Sequence, residues 1–275
     1  MLCINERLED KYCILNKYAE TKTSLIYEVS DHSRTPKILK VAKYLDTQIN
    51  QQIKNEAKYL ARIHHPMVPQ LYDKFIYADK YDCIVMEKMP GITLSEMVER
   101  KNAFLLWSDI IAITEQLVEL LLYFHQLKRP IMLLDLKPSN ILITESYSIY
   151  IVDFGSATEV GSELQNISLG TIGFAAPEQF EVGQASLQSD LFSLGAILFY
   201  LISGGKNVYT ASIEEAVIIP NIPRSYLKMV ERLTQMNLNN RYQSITEVAA
   251  VFHNIKMSRT DKVVNYFQKL VSLRK

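Results

Sequence analysis

The sequence predicts an α+β chain: a small β-rich lobe with one long helix, followed by a larger, mainly helical lobe. Three observations predict it. Short apolar and β-branched runs crowd the first third, one periodic helix interrupts them, and long apolar helical stretches follow Pro90-Gly91. With 275 residues, 48% of them hydrophobic, the chain has material for a substantial core.

Residues 11–16, 25–29 and 38–42 read as strands, each bounded by polar stretches. Ile49, Ile53, Ala57, Leu60 and Ile63 then recur at spacings of four, four, three and three, which makes one face of a helix that His64-His65-Pro66 ends. Residues 68–75 and 81–86 supply two more strand-like runs before Pro90-Gly91 punctuates the chain. Beyond it, Ile110, Ile111, Ile113, Leu117, Leu120, Leu121 and Phe124 give residues 107–127 a face broad enough for a deeply buried helix. Residues 141–144 and 149–152 flank the polar turn Glu145-Ser146-Tyr147 as a small hairpin, and residues 191–203 return to apolar helix. The expected organisation is a first lobe of residues 1–86, a hinge of 87–91 and a second lobe of 92–275, with a ligand cleft between the lobes.

Composition narrows the function. Thirty Lys and Arg balance thirty Asp and Glu, so no net basic field exists to recruit nucleic acid, and none is expected as a partner. Cys3, Cys13 and Cys83 are odd in number and lack metal-ligand spacing, which fits reduced thiols rather than a disulfide frame or a zinc site. No apolar run reaches about 18 residues and the N-terminus lacks the pattern of a secretion signal, so a cytoplasmic location is expected. The first of the nine glycines is Gly91, so the opening third holds no glycine-rich phosphate loop.

The chemistry concentrates in Asp135-Leu136-Lys137-Pro138-Ser139-Asn140 and, 18 residues after Asp135, in Asp153-Phe154-Gly155. Two carboxylates and an amide at the ends of short strands offer the hard oxygen donors that Mg²⁺ takes together with phosphate oxygens. Lys137 adds a cation where charge develops on a transferred phosphoryl group.

In this order and spacing the sequence resembles the eukaryotic-type serine/threonine protein kinase family over nearly the whole chain. Lys40 looks like the lysine of the third strand and Glu56, 16 residues on, like its partner on the helix. Gly170 to Glu178, in Gly170-Thr171-Ile172-Gly173-Phe174-Ala175-Ala176-Pro177-Glu178, resembles the end of the activation segment; Asp190 resembles the helix aspartate that braces the catalytic loop, and Arg241 the partner of Glu178. The resemblance implies a two-lobed kinase fold and the use of ATP and Mg²⁺ to phosphorylate Ser and Thr hydroxyls of a protein substrate. It gives Asp135 the substrate hydroxyl, Lys137 the γ-phosphoryl charge, Asn140 and Asp153 the metal, Lys40 with Glu56 the α/β-phosphates, and the backbones of Glu87 and Met89 the adenine. Lys37 and Lys43 compete with Lys40 for the strand position. Alternation puts Lys40 in the same row as Ile38, and only 13 residues separate Lys43 from Glu56.

Three features depart from the family pattern. Ala19, Thr21 and Ser24 stand where the nucleotide-covering loop normally has three glycines, and the Thr21, Thr23 and Ser24 hydroxyls are the expected phosphate donors there. Leu133-Leu134 replaces the usual His-Arg before Asp135, which removes the arginine that commonly reads an activation-loop phosphate. Residues 256–275 hold six Lys and Arg against Asp261 alone, with Val263, Val264, Phe267, Leu270 and Val271 on one face: a basic amphipathic helix, read first as docked on the second lobe and alternatively as a contact for an anionic membrane surface. Two rival functions follow, a pseudokinase acting as a binding scaffold and a small-molecule phosphotransferase of related fold.

Overall fold

The computed structural model describes residues 2–32, 34–101, 105–162, 170–181 and 184–257. The chain divides into two compact units, Met1–Pro90 with Tyr150–Ala157, and Gly91–Ile149 with Thr158–Lys275.

In the first unit β1 (Arg7–Leu8), β2 (Tyr12–Glu20), β3 (Ser24–Ser30), β4 (Pro36–Ala42), β5 (Leu71–Tyr77) and β6 (Tyr81–Glu87) form one antiparallel sheet, in the order β1-β2-β3-β4-β6-β5. The sheet's inner face is a cluster of Leu8, Tyr12, Ile14, Tyr27, Val29, Leu39, Val41, Cys83 and Val85. Leu39 and Val41 enter that cluster, so the two-residue period of β4 turns Lys40 to the opposite face. The register Ile26–Lys40–Ile84 fixes this choice, because a one-residue slip would put the lysine into the apolar cluster. β5 begins at Leu71, later than the apolar run that starts at Val68, because Pro69 has no N–H to give a ladder.

Helix α1 (Thr47–Leu60) crosses between β4 and β5 in sequence. Asp46 caps it by accepting from the backbone of Gln48 at 2.8 Å and of Ile49 at 3.1 Å. Its buried stripe includes Ile53, Glu56, Ala57 and Leu60. The apolar period continues past the helix end to Ile63, which is buried from the turn that follows.

The second unit carries β7 (Ile92–Thr93), α2 (Leu94–Lys101), α3 (Trp107–His125), β8 (Ile131–Met132), β9 (Ile141–Ile143), β10 (Ile149–Ile151, whose last two residues belong to the first unit), β11 (Thr158–Glu159), α4 (Leu187–Ile202), α5 (Ile213–Ala216), α6 (Arg224–Leu233) and α7 (Ile245–Met257). Gly91, at φ +107°, opens it: a Cβ there would lie 2.4 Å from the Ile143 carbonyl oxygen. α3 and α4 are the core, with Ile110, Ile113, Leu117 and Phe124 on one and Leu191, Leu194, Ile197 and Leu198 on the other wholly buried. A 2.8 Å hydrogen bond between the Thr114 and Tyr226 hydroxyls joins α3 to α6, and Trp107 meets Tyr226 edge-on.

Of the basic C-terminal face, Lys256 lies on α7 and pairs with Glu115 of α3. Residues from 258 onward, with Val263 to Val271, lie outside the described residues. Among the described residues no helix is long and apolar enough to cross a membrane.

Candidate active site

Two groups of polar residues stand out, one in each unit. In the first, Lys40 of β4 puts Nζ 2.6 Å from Glu56 Oε2 and 3.2 Å from Asp153 Oδ1. Burial disfavours the charged ammonium, but Asp153 and Glu56 outweigh it and hold the Lys40 pKa above the ordinary lysine value. Lys37, also buried, faces the other way and pairs with Asp31 at 2.7 Å, while Lys43 pairs with Glu20. Each of the three candidate lysines therefore has its own acid, and only Lys40 meets Glu56.

The stretch from Asp153 to Ala157 is tied to α1 by three bonds. Phe154 N–H donates to Glu56 Oε1 at 3.4 Å, and Asn55 Nδ2 donates to the carbonyls of Gly155 and Ala157 at 3.0 and 2.7 Å. Asn55 was silent in the sequence, since a helix-surface amide looks the same whether it meets solvent or a buried carbonyl. Asp153 adopts φ +81°, a left-handed conformation unusual for a residue with a Cβ, and its side chain is partly exposed.

The β2–β3 hairpin closes without glycine. Thr21 N–H donates to the Ser24 carbonyl at 2.9 Å, while Thr21 Oγ1 accepts from the Ser24 and Thr23 N–H groups at 2.9 and 3.3 Å. Of the Thr21, Thr23 and Ser24 hydroxyls read as phosphate donors, the Thr21 oxygen is engaged within its own hairpin and Ser24 is buried. Ala19 lies exposed on β2, paired across the ladder with Ile26. Glu20 binds both Lys17 and Lys43, which pull its carboxyl down to about 2. Farther along, the Glu87 N–H is used by the Gln70 carbonyl at 2.9 Å, whereas among the described residues nothing accepts from the backbone N–H of Met89.

In the second unit Asp135, Lys137 and Asn140 follow β8 on a loop that ends in one turn of 3₁₀ helix, Pro138–Asn140. Lys137 Nζ donates to Asp135 Oδ2 at 2.7 Å and to Thr171 Oγ1 at 2.8 Å, and Thr171 Oγ1 donates to Asp135 Oδ1 at 2.7 Å. Asn140 Nδ2 donates to the Asp135 carbonyl at 3.0 Å, and among the described residues no protein group donates to its Oδ1. That amide oxygen in the second unit and the Asp153 carboxylate in the first are each, by their own chemistry, hard oxygen donors of the kind Mg²⁺ accepts. No cluster of three His, Cys, Asp or Glu that could hold a metal by itself occurs among the described residues.

A buried frame supports this loop. Asp190 of α4 accepts from the backbone N–H of Leu133 at 2.9 Å and of Leu134 at 2.9 Å, and lies 3.0 Å from His125 Nε2. Leu134 is fully buried at φ +61°. Arg241, wholly buried, grips Glu178 with Nη1 and Nη2 at 2.7 and 3.2 Å, and Ser189 Oγ donates to the same carboxylate at 2.9 Å. Sequence reasoning passed over His125 and Ser189; their partners Asp190 and Glu178 were the only available signal.

A model of the protein kinase domain matches residues 22–265. The chain belongs to the protein kinase domain family. Within it, this kinase domain is 28% identical over 269 residues to the serine/threonine-protein kinase PrkC of Bacillus subtilis, covering 90% of this chain and 41% of that protein. It is 29% identical to a probable serine/threonine-protein kinase of Clostridium perfringens, covering 92% of this chain and 39% of the other. Human myosin light chain kinase 3 is 33% identical over 173 residues, 62% of this chain and 21% of that one. The chain thus spans about two fifths of the length of the bacterial relatives it matches.

Proposed function

We propose that this kinase domain transfers the γ-phosphoryl group of ATP to Ser and Thr hydroxyls of protein substrates. The observation that supports it best is the set of hydrogen bonds at Asp135, whose carboxylate already receives a hydroxyl hydrogen bond from Thr171 while Lys137 stands beside it. The serine/threonine kinases among its relatives favour the same substrate class.

In this reading Asp135 orients the acceptor hydroxyl and takes its proton, and Lys137 offsets charge on the transferred group. Lys40, kept charged by Glu56 and Asp153, holds the α/β-phosphates. Asn140 and Asp153 would hold magnesium, which when bound supplies charge neutralisation for the phosphates. The Met89 N–H is the open backbone donor for adenine, with the Glu87 carbonyl as the acceptor beside it. Ala19 lines the cover as backbone, and Thr21 and Ser24 shape it rather than donate.

The glycine-free hairpin favours a second reading, a scaffold that binds nucleotide poorly. Radiolabelled ATP with Mg²⁺, offered to a generic protein and to small alcohols, separates the readings. Label on protein Ser and Thr supports the kinase, with Asp135→Asn expected to lower turnover at least hundredfold, ~2.7 kcal/mol, while ATP binding persists. Label on alcohols alone would make it a small-molecule phosphotransferase, and label on neither would leave the scaffold.

A further inference from the structure

Gln179 directly follows Ala176-Pro177-Glu178 and is buried. Its two amide atoms serve two different segments. Nε2 donates to the Leu134 carbonyl at 2.7 Å, and Oε1 accepts from the Ala176 N–H at 2.9 Å. The first bond holds the peptide immediately before Asp135; the second holds the turn that leads from Thr171 into the following 3₁₀ turn. A single neutral side chain therefore spans from the end of the activation segment to the backbone of the catalytic loop.

Gly170 fits this bridge. At φ +114°, it approaches so closely that a Cβ there would stand 2.6 Å from Ala175 Cβ, 2.9 Å from Gln179 Nε2 and 3.0 Å from the Leu134 oxygen. A side chain at 170 would push the amide off its acceptor. Leu134 needs the bridge in turn, because its left-handed φ of +61° is costly for a leucine and must be imposed from outside. Asp190 fixes the N–H side of that residue and Gln179 fixes the C=O side. Leu134 also occupies the position where the family resemblance expects an arginine, so a charge pair between phosphate and arginine has no cation to use there.

We propose that Gln179 is a positioning residue for phosphoryl transfer. It orders the segment from Gly170 to Glu178 against the catalytic loop through two amide hydrogen bonds, in place of a phosphate–arginine pair, and acts on the reaction through the placement of Asp135 and Thr171. The proposal rests on the kinase reading above.

Two variants test it. Gln179→Met keeps the volume and removes both bonds; Gln179→Glu keeps an acceptor for Ala176 and sets a carboxylate oxygen against the Leu134 carbonyl. The measurements are kcat and KM for ATP on a protein substrate, the melting temperature, and hydrogen exchange at the Ala176 amide. The expected result is a fall in kcat of tenfold or more in both variants, with KM for ATP within twofold of wild type, and accelerated Ala176 exchange in Gln179→Met alone. Turnover within twofold of wild type in either folded variant would overturn the proposal, as would a lowered melting temperature with unchanged kcat below it. If the wild-type protein transfers no phosphate, the kinase reading fails by itself. Exchange at Ala176 then still decides the bridge, unchanged rates in Gln179→Met ruling it out.

Discussion

Lys40 Nζ stands 2.6 Å from Glu56 Oε2 with both side chains almost fully removed from solvent, and Asp153 is the second acid on the same ammonium. A buried cation with two acids is held in one place. Lys40→Met leaves Glu56 buried without its partner, so two effects are expected. Phosphoryl transfer should fall at least a hundredfold, and stability should drop by about 3–5 kcal/mol, the usual cost of removing one member of a buried pair. Single-turnover assays and urea unfolding measure the two separately; full turnover in a folded Lys40→Met protein would remove Lys40 from phosphate binding.

The hairpin at Thr21 gives a prediction opposite to what its lack of glycine suggests. Because Thr21 Oγ1 accepts from two backbone N–H groups, Thr21→Gly loses that cap and adds chain freedom. KM for ATP should rise about fivefold, in line with roughly 1 kcal/mol for the lost hydrogen bonding. Thr21→Ser keeps the oxygen and should behave as wild type. A lower KM in Thr21→Gly would show that the hairpin binds nucleotide better when loosened.

Glu178 and Arg241 predict a stability effect remote from phosphate chemistry. Arg241→Met strands a carboxylate that is nine-tenths buried, and about 3–5 kcal/mol should be lost in chemical unfolding. The double variant Arg241→Met with Glu178→Gln should recover part of this, since no unpaired charge remains. Equal losses in the single and double variants would mean that the pair contributes through packing alone.

Cys83 carries a pH dependence. Burial pushes its thiol up to about 12, so the folded state resists forming the thiolate that an unfolded chain forms near the ordinary thiol range. The sign follows: a group that stays neutral in the fold contributes stability below the unfolded pKa of about 8.5, and that contribution is lost as pH rises toward 12. Native protein at pH 9 should alkylate at exposed Cys3 while Cys83 reacts only on unfolding, a difference that mass spectrometry resolves. Rapid native labelling of Cys83 would show that the sheet opens locally.

The first unit was legible because a two-residue alternation and one helical stripe leave few arrangements for its residues. Strand alternation favoured Lys40, and the short run from Lys43 to Glu56 set Lys43 aside; the structure gives Lys37 and Lys43 the partners Asp31 and Glu20. α6 was missed, although Tyr226, Met229, Val230 and Leu233 form a helical face, because no motif directed attention to it. Thr21, Asn55 and Gln179 were illegible for a different reason. Each makes a side-chain bond to backbone, and the backbone atom that an amide or hydroxyl meets depends on where other segments fold.

Asn55 has a mechanical consequence. With its amide on the carbonyls of Gly155 and Ala157, and the neighbouring Glu56 on the Phe154 N–H, α1 and the Asp153-Phe154-Gly155 segment behave as one lever rather than two parts. A displacement of the helix would therefore strain the Lys40–Glu56 contact and the placement of the Asp153 carboxylate together. A substitution at Asn55 would loosen that coupling without touching either Lys40 or Asp153.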